Sequence, residues 1–191
     1  MKCEHILVDG WNAIHADPKL SKLFEADAGA ARRGLAEILE PVHDMRACRI
    51  SIVYDGSGAD ISISHPDGAV PTFSEVFTSS DMTADEFIER YCALAKNPAA
   101  IVVISNDNMI WQTVSVLGAV CMRVDEIFRQ SKAALGDIKR ISRRINFDAD
   151  RKWREGGALA KIDKLALEVN RIKSSLFTSK KMLKKLGKAK K

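Results

Sequence analysis

Ile6-Leu7-Val8-Asp9-Gly10-Trp11-Asn12 is the stretch from which the fold is read. Three consecutive aliphatic residues predict a short buried strand. Asp9 closes that strand, and Gly10 lets the chain turn sharply away. In an open α/β sheet, ligands bind in the crevice at the carboxyl ends of the strands. The first strand therefore delivers a carboxylate to the place where chemistry is expected. Asn12 follows with an amide able to orient that carboxylate or a substrate oxygen. Taken alone, Asp-Gly after a strand is also an ordinary turn. Its weight comes from its return elsewhere in the chain.

Arg49-Ile50-Ser51-Ile52-Val53-Tyr54 predicts a second strand, ending at Asp55-Gly56. Ala100-Ile101-Val102-Val103-Ile104 is a continuous aliphatic run of the kind buried on both faces of a parallel sheet, and it ends in Ser105-Asn106-Asp107-Asn108. Phe73 to Phe77 and Ala119 to Val124 read as further strands. Thr83 and Glu86 have capping-box spacing, which makes Thr83 the N-cap of a helix and puts Asp85 in its first turn. Helical spacing also marks residues 28–40, with Pro41 as a kink, and Met109 to Leu117. Ala13 to Ala26, broken by Pro18, reads as a loop holding a solvent-facing His15. Ser57 to Pro71 reads as a long loop with room for a small hairpin at Ile61 and Ile63. Strand and helix thus alternate over the first 124 residues. This predicts an α/β fold, a three-layer α/β/α domain with a mainly parallel sheet.

From Asp125 the pattern turns helical, with Ile127, Phe128, Leu135, Ile138, Ile141 and Ile145 on one or two amphipathic helices. A second apolar stripe, Leu159, Ile162, Ala166, Val169, Ile172 and Leu176, follows at three- and four-residue steps. The chain of 191 residues has a formal net charge of +5, which hides a split. Residues 1–138 hold 12 Lys/Arg against 20 Asp/Glu, a net −8, whereas residues 139–191 hold 18 against 5, a net +13. An acidic body joined to a basic end points to a polyanionic partner. Lys139, Arg140, Arg143 and Arg144, then Lys180, Lys181, Lys184 and Lys185, are the candidate phosphate-binding cations. No apolar run is long enough for a transmembrane helix. Cys3, Cys48, Cys92 and Cys121 show no metal-ligand spacing and read as reduced packing residues of a cytoplasmic protein.

Asp9, Asp55, Asp85 and Asp107 all fall at or just beyond a strand's carboxyl end, with Asn12 and Ser105 beside them. Carboxylates packed together repel unless a cation compensates. Hard cations with oxygen ligands, Mg²⁺ or Mn²⁺, are the natural match. The chain has no G-x-x-x-x-G-K-[ST], G-x-G-x-x-G or G-x-S-x-G motif, which argues against P-loop, dinucleotide and serine-hydrolase chemistry.

Val8-Asp9-Gly10-Trp11-Asn12, Val53-Tyr54-Asp55-Gly56, Thr83-Ala84-Asp85-Glu86 and Ser105-Asn106-Asp107, in that order, resemble the motifs of NYN domains, in particular their YacP-like branch. The resemblance covers roughly residues 4–130. Trp11 stands where the family usually has Tyr. Asn106-Asp107-Asn108-Met109 stands where the YacP-like form has Ser-Asp-x-x-x-Gln. The resemblance implies a PIN-like fold and metal-dependent ribonuclease activity, with Asp9, Asp85 and Asp107 as the metal-binding acids and Asn12, Asp55 and Ser105 in support. It also implies RNA, in some bacterial members ribosome-associated mRNA, as the partner. The expected organisation is a nuclease domain over 1–130, a basic helical extension over 131–177, and a mobile Lys-rich tail over 178–191. The competing expectation is a non-catalytic RNA- or ribosome-binding adaptor on the same fold.

Overall fold

A computed structural model describes residues 3–66, 70–156, 165 and 167–169. It divides into two compact units, Met1–Ile138 and Lys139–Lys191. The first unit carries a six-stranded sheet in the order β3-β4-β2-β1-β5-β6. Its strands are β1 (His5–Asp9), β2 (Arg49–Gly58), β3 (Ser62–Ser64), β4 (Phe73–Ser79), β5 (Ile101–Ile104) and β6 (Val120–Met122). All neighbours run parallel except β3, which pairs antiparallel with β4.

The helices are α1 (Gly10–Ala16), α2 (Pro18–Ala26), α3 (Ala28–Arg46), α4 (Ala84–Leu94), α5 (Asn108–Val116) and α6 (Val124–Gly156). Side chains alternate across the sheet and split the core in two. Ile6, Val8, Ile50, Ile52 and Tyr54 pack with Ile14, Leu35 and Leu39 of α1 and α3 and with Val124 and Ile127 of α6. Leu7, Val53, Val76 and Val103 pack with Ile88 and Cys92 of α4 and Ile110 and Val114 of α5. The result is the expected three-layer α/β/α arrangement. Cys48 and Cys92 are buried, and burial pushes both thiols up to about 11.

Several local expectations change. Ala13 to Ala26 is helical rather than a loop. Pro18 starts α2 instead of breaking it, because Asp17 accepts hydrogen bonds from the Lys19 and Leu20 amides and Pro occupies the first turn, where no intrahelical donor is needed. His15 accordingly sits on α1, exposed and edge-on to Phe24. α3 continues past Pro41 to Arg46. β2 does not stop at Asp55: it runs to Gly58 across a register irregularity between Tyr54 and Gly58. The hairpin in the following segment is β3 with β4. One helix, α6, holds the apolar set from Ile127 to Ile145. The Leu159-to-Leu176 stripe and the 178–191 tail lie outside the described residues, apart from 165 and 167–169.

Candidate active site

The chain order β1, β2, β4 builds outward on one side of β1, and β5 and β6 build on the other. The sheet therefore reverses its winding between β1 and β5, and the crevice at the carboxyl ends of those two strands is where such folds bind ligands. Asp9 and Ser105 close that gap. Ser105 Oγ donates to Asp9 Oδ2 at 3.1 Å, and both residues are buried. The other carboxylate oxygen, Oδ1, accepts from the Asn12 amide at 3.2 Å, so Asp9 is also the N-cap of α1.

The two loops at this edge are tied together. Asn12 Oδ1 accepts from the Asn106 amide at 2.8 Å, and Ser105 Oγ accepts from the Asp107 amide at 3.0 Å. Asn106 Oδ1 in turn accepts from the Val124 amide at the start of α6. Asp107 caps α5 by accepting from the Met109 amide at 2.6 Å. On the β2 side, Asp55 Oδ1 accepts from the Ala84 amide at 2.8 Å, which ties the strand irregularity to the first turn of α4. Thr83 and Glu86 form the expected reciprocal capping box, fixing Asp85 in that turn.

The two glycines of the Asp-Gly pairs are explained by close approach rather than by turning. A Cβ on Gly10 would lie 2.2 Å from Tyr54 Cε1, and one on Gly56 would lie 1.9 Å from the Thr78 carbonyl oxygen. Only a residue without a side chain lets Asp9 and Asp55 reach this edge with the core closed beneath them.

Asp9 and Asp85 feel their acidic neighbours. Asp9 is pushed from 3.8 up to about 6, first by burial and then by the charges of Asp85 and Asp55, against the opposing hydrogen bonds from Asn12 and Ser105. Asp85 is also raised, by partial burial of its carboxyl and then by Asp107, Asp55 and Glu89. Asp9, Asp55, Asp85 and Asp107 therefore share one electrostatic environment. Among the described residues, however, no three His, Cys, Asp or Glu side chains stand close enough to enclose an ion directly. The donor set itself, all carboxylate oxygen, is of the kind that suits a hard divalent cation.

The family model for the YacP-like NYN domain matches residues 6–174. The chain belongs to the YacP-like NYN domain family. This is a family of nuclease type. Among solved structures, the chain is similar to Rae1 (YacP) from Bacillus subtilis, with 25% identity, a TM-score of 0.63, and coverage of 88% of this chain and 94% of that one. It is likewise similar to a tryptophan-to-leucine mutant of that protein, with 26% identity, a TM-score of 0.62, and coverage of 75% and 83%. No curated protein sequence matches the chain.

The NYN fold thus brings all six acidic and supporting positions named from the sequence to one edge. Lys139, Arg140, Arg143 and Arg144 are exposed on α6 in the second unit. Lys180, Lys181, Lys184 and Lys185 lie outside the described residues. Sequence reading passed over Asn106, whose amide and side chain bridge Asn12 and α6. It also passed over Arg123, which follows β6 at the same carboxyl edge. The apolar run Ala119 to Val124 reads as one strand that encloses Arg123, whereas β6 ends at Met122 and Val124 opens α6.

Proposed function

We propose that this protein is a metal-dependent endoribonuclease that hydrolyses phosphodiester bonds of RNA at the carboxyl edge of β1 and β5. The observation that carries the reading is the convergence of Asp9, Asp55, Asp85 and Asp107, with Asp9 buried and held at about 6. A fold that keeps a repelling, half-desolvated acid cluster retains it for a cation or a proton. One or two of Asp9, Asp85 and Asp107 would bind Mg²⁺ or Mn²⁺ directly, and the others, with Asp55, would supply the surrounding negative charge. When bound, such an ion activates water and neutralises charge on the phosphate.

The chain's own residues set the geometry. Ser105 and the Asn12 amide fix both oxygens of Asp9. The Asn12 side chain locks the loop that carries Asp107. Asp55 holds the end of α4 that presents Asp85. The basic residues Lys139, Arg140, Arg143 and Arg144 would hold the RNA backbone as point charges and bidentate donors. Membership of a nuclease-type family supports RNA as the substrate, with ribosome-associated mRNA as the candidate target. The four free cysteines fit the reducing cytoplasm.

The test is cleavage of single-stranded and structured RNA with Mg²⁺, with Mn²⁺ and with chelator, comparing wild type with Asp85→Asn. The expected result is cation-dependent cleavage, reduced at least 100-fold in a variant that folds normally. Full activity in Asp85→Asn would remove that residue from the site. The absence of an enclosed three-ligand group among the described residues favours a second reading, an RNA-binding adaptor with a vestigial pocket. Salt-sensitive RNA binding without turnover under every cation condition would select it.

A further inference from the structure

Two arginines in the first unit lie over aromatic rings, and they differ in what neutralises them. Arg32 sits 4.9 Å from the Phe77 ring centroid and also pairs with Glu75. Arg123 sits 4.9 Å from the Trp111 ring centroid. Among the described residues, no carboxylate pairs with Arg123. Its Nη1 donates to the Asn106 carbonyl oxygen and its Nη2 to Asn108 Oδ1, both at a long 3.4 Å.

This arrangement is unexpected for an exposed cation that touches both residues flanking Asp107. An exposed arginine on a flexible stem would ordinarily swing to the nearest acid. Here the guanidinium is laid on an indole, and the indole is itself pinned, with Trp111 Nε1 donating to the Ser105 carbonyl oxygen at 2.8 Å. The Arg123 fork is thus oriented by neutral groups, with two of its five N–H donors engaged weakly. The rest of the fork and the whole positive charge remain available.

The place matters as much as the charge. Arg123 directly follows β6, whose Met122 pairs with Ile104 of β5. It touches the backbone of Asn106, the residue between Ser105 and Asp107 of the acid pocket. A planar, pre-oriented guanidinium is the group best suited to a phosphate's oxygens, and stacking reduces the freedom it loses on binding. An acid pocket filled by a cation still lacks a donor for the phosphates on either side of the reacting one.

Resting on the ribonuclease reading, we propose that Arg123, laid on Trp111, is a phosphate-binding residue that grips the RNA backbone beside the acid pocket. Arg123 contacts a backbone phosphate flanking the scissile one. It contributes to affinity and register rather than to the chemical step. Trp111 is its positioning residue.

Binding is measured by fluorescence anisotropy of a labelled single-stranded RNA with full-length protein carrying Asp85→Asn, so that the RNA stays intact. The salt series is run with and without Arg123→Gln. Loss of one phosphate contact should weaken binding about tenfold at low salt and reduce the slope of log affinity against log salt by about 0.7. Arg123→Lys should restore the slope, with only part of the affinity. In otherwise wild-type protein, Arg123→Gln should raise KM about tenfold and leave kcat within about threefold. Thermal melts confirm that the exposed substitution leaves the fold intact.

Unchanged affinity and slope in Arg123→Gln overturn the proposal, even if the wild type cleaves RNA. Arg123-dependent binding with no cleavage under any cation sustains the phosphate contact and removes the nuclease reading. A fall in kcat with unchanged KM and slope overturns the proposal in favour of a role in the chemical step.

Discussion

Asp9→Asn should make the protein more stable while removing the proposed nuclease activity. Asp9 is only 7% exposed and lies near two other acids, so its ionised form is disfavoured in the folded state. Its folded value of about 6 lies above the ordinary 3.8. A carboxyl raised in this way favours folding fully below 3.8, and that contribution is lost as the pH rises through 6. At about 1.4 kcal/mol per tenfold, the ionised side chain costs the fold about 3 kcal/mol at pH 7, about 1.6 at pH 5 and about 0.5 at pH 4. Asparagine carries no charge at any of these values and keeps an oxygen for the Asn12 amide. Its hydrogen-bond differences from aspartate are the same at every pH, so the pH dependence isolates the charge. The assay is urea unfolding of wild type and variant in chelator at pH 4, 5, 6 and 7. The stability difference, variant minus wild type, should grow by about 2 kcal/mol from pH 4 to pH 7. Adding Mg²⁺ at pH 7 should then stabilise the wild type more than the variant. A difference that stays flat or shrinks as the pH rises would refute the claim that Asp9 is a strained, desolvated acid.

Other substitutions test the frame around the pocket. Gly10→Ala places a methyl against the buried Tyr54 ring at 2.2 Å and should cost about 1–3 kcal/mol in urea unfolding, because the ring has no open space to move into. Tyr54 Oη is fully buried and reaches no partner among the described residues, so Tyr54→Phe should be neutral or stabilise the fold by about 1 kcal/mol in the same assay. His5 is held neutral, lowered to about 4, by burial and by Arg49, while its ring nitrogens meet Tyr91 Oη at 2.8 Å and Ser51 Oγ at 2.9 Å. A histidine lowered in this way stabilises above 6.5 and loses that contribution as the pH falls towards 4. The wild type should therefore lose up to about 3 kcal/mol from this group over that window, and His5→Gln should flatten the loss. The His5 and Asp9 effects oppose each other with falling pH, so each is visible only as a difference between variants.

The parts of the fold legible in the sequence were those whose signal is local and repeated. The aliphatic runs of β1, β2 and β5, and the Thr83–Glu86 capping box, needed no tertiary context. Pro18 was misread because a proline at the first turn of a helix and a proline that breaks one look alike until Asp17 is recognised as the cap. Asp55 was read as a strand terminus because the Asp-Gly pair was given a turning role. The strand continues past it, and Gly56 is there to clear the Thr78 carbonyl. For the site, the strand-end rule brought Asp9, Asp55, Asp85 and Asp107 together, since topology carries residues after parallel strands to one edge, but it passed over Glu89, whose charge also acts on Asp85. It could not find the bonds that hold them, Asn12 to Asn106 and Asp55 to Ala84, because these join residues 94 and 29 positions apart. Nor did it reach Arg123, because the run Ala119 to Val124 reads as one strand that encloses it, whereas β6 ends at Met122. A phosphodiester and its counter-ion need both signs at that edge. The residue to seek after an acid cluster in such a sheet is therefore the basic one on the neighbouring strand end that the acids have failed to capture.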